Sequence, residues 1–144
     1  MNLRPALPED GPHLWDWRND PVARAASLAP DPIPLDRHLD WFARALTDPD
    51  RQILIALSPG PVGMVRFDRA GGNTTVSILL APAARGRGLA RPMLTGALAL
   101  CRFRPTTLHA TIRRNNAASL AVFVALGFQG DHDTDPITLT RTLT

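Results

Sequence analysis

The sequence predicts a mixed α/β (α+β) fold, a twisted central sheet flanked by helices, and three observations predict it. Leu35, Leu39, Phe42 and Leu46 recur at helical spacing. From Gln52 the pattern turns β-rich over three runs, 52–57, 62–69 and 74–80, separated by Pro59-Gly60-Pro61 and Gly71-Gly72-Asn73. Helical and alternating patterns then take turns to the end of the chain. At 144 residues the chain reads as a single domain, 1–144, long enough to bury a core without staples.

Leu3 to Ala6 suits a short first strand ended by Pro8. Leu14 and Trp17 mark a short helix over 10–19, with Asp10 as its cap and Pro12 in its first turn. Asp20-Pro21 restarts a helical turn over 22–27. Prolines 30, 32 and 34 then forbid regular hydrogen bonding. In the next helix the Leu35–Leu46 stripe is the core face, His38, Trp41 and Ala45 lie on the adjoining stripe, and Asp48-Pro49 closes the segment. The three β runs form an antiparallel meander. In its middle strand Met64, Arg66 and Asp68 share one face, and Val65 and Phe67 the other. Leu89, Met93, Leu94, Ala97, Leu98 and Cys101 give a helical stripe in which Pro92 requires a late start or a kink. Leu108, Ala110 and Ile112 alternate as a fifth strand, with His109 and Thr111 facing the other way. Asn116 suits the cap of a last helix and Gly127 its left-handed end; residues 128–130 and 137–143 complete the sheet.

Composition narrows the classes. The pI near 10.8 rests on a net charge of only +3: the chain has neither Lys nor Tyr, so little titrates between neutral pH and the arginine range. The arginines are dispersed and no basic run is interleaved with aromatics, so no nucleic-acid partner is expected. No apolar run approaches the ~18 residues of a membrane span, and no apolar segment follows a basic start. One cysteine, Cys101, allows no internal disulfide. A cytoplasmic location, no membrane partner and a monomer or homodimer are the expectation. The four histidines are scattered, so no metal site is expected.

The chemistry-bearing stretch is Leu79-Leu80-Ala81-Pro82-Ala83-Ala84-Arg85-Gly86-Arg87-Gly88-Leu89-Ala90-Arg91, a strand, an arginine–glycine turn and a helix start. Gly86 and Gly88 let successive N–H groups point into one concavity. The helix start adds unpaired N–H groups and a positive dipole end, and Arg85 and Arg87 add full charges. This is an anion site suited to a phosphate or pyrophosphate. No Gly-Lys-Ser/Thr follows it, which excludes the Walker loop, and the meander before it excludes the dinucleotide fingerprint.

Arg85-x-x-Gly88-x-Ala90 after Leu80-x-Pro82 resembles the acetyl-CoA signature of the GNAT (Gcn5-related) N-acetyltransferases. Asn116-x-x-Ser119-x-x-x-Phe123-x-x-x-Gly127-Phe128 resembles that superfamily's second signature. The resemblance implies acetyl transfer from acetyl-CoA to a primary amine of a small molecule. It places the pantetheine arm along Ile78, Leu79 and Leu80, the pyrophosphate on Gly86, Arg87, Gly88, Leu89, Ala90 and Arg91, and Asn116 and Ser119 beside the cofactor. Phe123 stands where the family often has a tyrosine, and Thr111 where ribosomal-protein alanine acetyltransferases place a glutamate. Trp17-Arg18-Asn19, Val22-x-Arg24-x-x-Ser27, His38-x-x-Trp41-Phe42 and Val62-Gly63-x-Val65-Arg66-Phe67-Asp68 resemble a subgroup that includes acetyltransferases of nucleotide-linked amino sugars in pseudaminic-acid biosynthesis. Acylation of a protein N-terminus, use of another acyl-CoA, and a non-catalytic acetyl-CoA sensor are the alternatives.

A primary amine must lose its proton before it attacks, and two residues have the chemistry to take it. His38 titrates near neutral pH. Asp68 lies beside Arg66 on one strand face, where an ion pair and a base are both open readings. His109 is a weaker third. Arg18, Asn19, Arg24 and Arg66 suit an anionic substrate.

Overall fold

The structure, a computed structural model, describes residues 1–144. Six strands form one sheet in chain order: β1 (Asn2–Pro5), β2 (Arg51–Leu57), β3 (Pro61–Ala70), β4 (Asn73–Leu80), β5 (Thr106–Ile112) and β6 (Ile137–Leu143). All neighbours are antiparallel except β4 and β5, which are parallel. The expected seventh strand is absent: Gln129 makes a lone bridge with Thr140.

Helices α1 (Gly11–Asn19), α2 (Pro21–Ala26) and α3 (Leu35–Thr47) precede the meander; α4 (Ala90–Leu100) and α5 (Ala117–Ala125) follow it. Register assigns the two faces of the sheet. Met64 opposes Leu79 and Arg66 opposes Ser77, so these side chains share the α1–α3 face. Val65 opposes Ile78 and Gly63 opposes Leu80 on the α4–α5 face. Gly63 lets α4 approach there, since a Cβ would lie 2.5 Å from Met93 Sδ. Val65, Phe67, Met93, Leu94, Ala97, Leu108, Ala110 and Leu139 are wholly buried and form the centre of the core.

Two local expectations change. Asp10 does not cap α1: its buried carboxylate accepts from Arg4 Nη1 at 2.7 Å and Nη2 at 2.9 Å, and from Leu7 N–H at 2.7 Å. Burial pushes that carboxyl up, but the Arg4 hydrogen bond and the Leu7 N–H outweigh it and hold Asp10 below the usual carboxylate range. The pair ties β1 to the start of α1. The core face of α3 is also rotated. His38, Phe42 and Ala45 are buried, while Leu35 and Leu39 remain 40% and 36% exposed. The reason is α1, whose Gly11 packs against Leu39 and Phe42 and gives His38 a buried hydrogen-bond partner. Pro92 causes no kink, because α4 starts at Ala90 and the proline falls in the first turn, where N–H groups lack partners in any case. Asn116 caps α5 by accepting from Ser119 N–H at 3.3 Å, and Gly127 takes φ 89° beyond its end.

Candidate active site

The site begins as a failure of strand pairing. β4 and β5 pair only from Asn73↔Thr107 to Thr75↔His109, and beyond Thr75 the strands part. Ala81 N–H donates to Val62 carbonyl at 2.8 Å, so by antiparallel alternation the N–H and C=O groups of Leu80 and Ile78 point away from β3, into the gap. The gap widens into a cavity of about 770 Å³, lined on one wall by Ile78, Leu79 and Leu80 and on the other by Ala110, Thr111 and Ile112. It runs from the start of α4, through the split sheet, to the chamber under α1–α3.

At the α4 end the chain does what its glycines predict. Gly86 and Gly88 adopt φ 73° and 70°, in the left-handed region. Both line the cavity with Arg85, Leu89, Ala90 and Arg91, while Asn116, Ser119 and Phe123 line it from α5. Phe123 is buried and packs edge-on against Phe128 with centroids 5.0 Å apart. Arg87 is exposed and does not line the cavity. Arg85 is committed to Asp20, with Nη2 2.7 Å from Oδ2, and this hydrogen bond holds the Asp20 carboxyl below its usual range. Asp20 also caps α2 through Val22 N–H and Ala23 N–H, so one carboxylate links the glycine turn to α2 across the cavity mouth. Sequence reading gave no sign of this link, because 65 positions separate its partners.

The chamber on the opposite face is built from side chains. His38 is 2% exposed and lines the cavity. Its Nε2 lies 3.1 Å from Gly11 carbonyl, which accepts only and therefore fixes the proton on Nε2. Nδ1 then carries a bare lone pair, and it is buried without a partner. Burial and the nearby Arg18 charge push the imidazole below its ordinary value, so the ring is neutral at physiological pH. Trp41 carries Arg18 at 5.5 Å and Arg66 at 5.1 Å from its ring centroid, and all three line the cavity.

The remaining candidates are engaged elsewhere. Asp68 accepts from Arg66 Nε at 2.9 Å through Oδ2; its Oδ1, 3.7 Å from Arg51 Nη1, is buried without a hydrogen-bond partner, and the residue is outside the cavity lining. Asn19 grips the backbone of Ile33, donating to its carbonyl at 3.1 Å and accepting from its N–H at 2.9 Å. Arg24 donates to Asn19 carbonyl. Asn19 therefore shapes the proline loop, Arg24 braces the α1–α2 junction, and neither lines the cavity. His109 bonds Asn73 Oδ1 at 2.8 Å, at the paired end of β5, away from the cavity.

An open strand edge, a positive-φ turn at a helix start and a chamber behind the split together define the acyltransferase architecture of one superfamily. Residues 1–129 match the acetyltransferase (GNAT) domain family, and the chain belongs to it. The fold is shared with a domain from Methanocaldococcus jannaschii (20% identity, TM-score 0.83, covering 99% of this chain and 97% of that one). It is also shared with a GNAT superfamily phosphinothricin acetyltransferase from Sinorhizobium meliloti in complex with acetyl-CoA (21%, TM-score 0.79, 99% and 88%). A third such structure is a ribosomal-protein-alanine N-acetyltransferase from Brucella melitensis (24%, TM-score 0.78, 99% and 100%). No curated protein matches the sequence. No helix is long and apolar enough to cross a membrane.

Proposed function

We propose that this single domain, 1–144, transfers an acetyl group from acetyl-CoA to the primary amine of a small molecule. The observation that carries the reading is the unpaired β4 edge from Ile78 to Leu80, opening on a cavity that has the Gly86–Gly88 turn at one end and His38 at the other. A backbone edge suits an arm of secondary amides because it donates and accepts hydrogen bonds whatever the side chains. The turn's N–H groups, the α4 N-terminus and Arg91 suit a pyrophosphate, with Arg85, Leu89, Ala90, Asn116, Ser119 and Phe123 around the same cofactor and Arg87 outside the cavity. Bound there, acetyl-CoA supplies an activated acetyl group as a thioester.

The chain's own part is to place the amine, take its proton and steady developing negative charge. His38 Nδ1 is the base: the Gly11 carbonyl fixes the tautomer, and the neutral ring has a free lone pair facing no competing donor. The outward N–H of Leu80 or Ile78 is placed for an oxyanion. Asp68, in its ion pair, positions Arg66 rather than taking the proton. No side-chain acid stands at Phe123. A CoA thiol has a pKa near that of cysteine, ~8.5, so the thiolate leaves at neutral pH without one.

Within the superfamily, the N-terminal motifs support a nucleotide-linked amino sugar as one acceptor, of the kind used in pseudaminic-acid biosynthesis. Thr111 on the cavity wall, where a glutamate would favour a protein N-terminus, supports a small molecule over a peptide. Thiol release from acetyl-CoA, measured over a panel of amino sugars, amino acids, polyamines and N-terminal peptides, tests the reading. Release that depends on an amine and yields the N-acetyl product is expected. Tight acetyl-CoA binding with no turnover on any amine would instead make the protein a sensor.

A further inference from the structure

The cavity carries two separate concentrations of positive charge, and the proposed cofactor accounts for one. Arg85 and Arg91 stand at the glycine turn; Arg18 and Arg66 stand in the chamber on the other face of the sheet. Against these four guanidinium groups the lining holds a single carboxylate, Asp31, exposed at the rim. Arg66 is paired with Asp68, and Arg85 with Asp20. Arg18 has neither a hydrogen bond nor an ion pair; it is half-buried, stacked over Trp41, and close enough to Arg66 that burial and that second charge lower its pKa. An arginine has five N–H donors in a rigid fork, and those of Arg18, which no protein group engages and which stay open to the cavity, are free for a ligand anion. Leu14, Ile33 and Met64 give the rest of this chamber an apolar wall.

Resting on the acetyltransferase reading above, we propose that the acceptor is an amine that also carries a carboxylate or phosphate, whose anion seats on Arg18 beside Arg66 and the Trp41 ring. The anchor lies in the same chamber as His38, so an anion held there limits where the amine of a compact molecule can reach. Arg18 is then a specificity-determining residue.

The test uses acceptor pairs with and without the anion, L-methionine against L-methioninamide and glucosamine 6-phosphate against glucosamine, compared across pH because removing the anion also changes the amine's own pKa. Each pair is assayed by thiol release and by calorimetric binding to the CoA-loaded protein, in the wild type and in Arg18→Met. The expected result is a preference of about ten- to hundredfold for the anionic member of at least one pair, carried by acceptor KM and Kd. Arg18→Met should abolish that preference while leaving acetyl-CoA affinity unchanged. The pair that shows the preference identifies carboxylate or phosphate as the anion. Equal use of charged and neutral members, or a preference that survives Arg18→Met, would overturn the inference and leave the transferase reading intact. Anion-dependent binding without turnover on any amine would support the anchor while overturning acetyl transfer. Neither turnover nor anion-dependent binding would overturn both.

Discussion

The two ends of the cavity are made of different material. At the α4 end the groups that matter are backbone: N–H groups aimed by two left-handed glycines, and the outward amides of an unpaired strand. At the α1–α3 end they are side chains: the bare Nδ1 of His38, the guanidinium groups of Arg18 and Arg66, and the Trp41 ring. Backbone recognition reads what is common to every molecule of one cofactor and tolerates changes of side chain. Side-chain recognition is sensitive to single substitutions and to pH. On the proposed assignment the chain separates a fixed chemical task, holding the cofactor, from an adjustable one, choosing the acceptor, with the split between β4 and β5 as the passage between them.

The sharpest way to break this contrast is at His38. Glutamine retains a donor able to reach the Gly11 carbonyl but has no lone-pair nitrogen that titrates. His38→Gln should lower kcat by ~10²–10⁴-fold at neutral pH, the range general-base catalysis supplies. Acetyl-CoA affinity, read by calorimetry, should not change. The pH dependence follows from the depressed imidazole. Its folded pKa lies below the ordinary value of 6.5, so between the two the unfolded chain binds more protons. The stabilisation from a neutral His38 is thus complete above about 6.5 and is lost as pH falls through the folded value. Wild-type protein should lose both activity and melting temperature on acidification, and His38→Gln should lose less of each. A wild-type rate that the variant matches at every pH would remove His38 from the base role.

The opposite end should answer to backbone strain. Gly88→Val places a β-branched residue at φ 70°, with nothing nearby for the side chain to strike. The penalty is therefore conformational, of order 1–3 kcal/mol, and it rotates an amide out of the concavity. Acetyl-CoA affinity should fall by about 10- to 100-fold, while the acceptor KM at saturating cofactor changes little. Gly72→Ala, at an ordinary φ in the open β3–β4 turn, is the control and should leave affinity unchanged. A Gly88→Val protein with wild-type affinity would mean that the turn is not an anion site.

The backbone end was also the legible end. Gly86, Gly88, Asn116 and Gly127 announce their roles because left-handed φ and helix capping are local demands written within a few positions. The side-chain end assembles α1, α3, β3 and β4, whose residues are tens of positions apart. Periodicity placed the core stripe of α3 on Leu35 and Leu39, since hydrophobicity alone ranks them above His38. What buries His38 is the Gly11 carbonyl, 27 positions upstream. In the same way Asn19 and Arg24 look like anion binders by residue type, but the backbone of Ile33 takes the hydrogen bonds of Asn19, and the Asn19 carbonyl takes that of Arg24. Arg18, with no such claim on it, is indistinguishable from them in the sequence.

The smallest expected effect lies where the two ends touch. Asp20 holds Arg85 of the glycine turn and the first turn of α2 at once. Partly exposed ion pairs contribute roughly 0.2–1 kcal/mol, so their loss shows as a few-fold change rather than as unfolding. Asp20→Asn keeps an oxygen for the cap but removes the charge facing Arg85, and Arg85→Gln removes it from the other side. If Arg85 belongs to the anion end, Asp20→Asn frees its guanidinium and should tighten acetyl-CoA binding about two- to fivefold, whereas Arg85→Gln should weaken it by a similar factor. If the pair serves only to hold α2 in place, both variants should raise the acceptor KM together and leave acetyl-CoA affinity equal. Opposite signs from the two partners of one salt bridge would show the arginine shared between the halves of the cavity, so that the division between backbone and side-chain recognition runs through Arg85 itself.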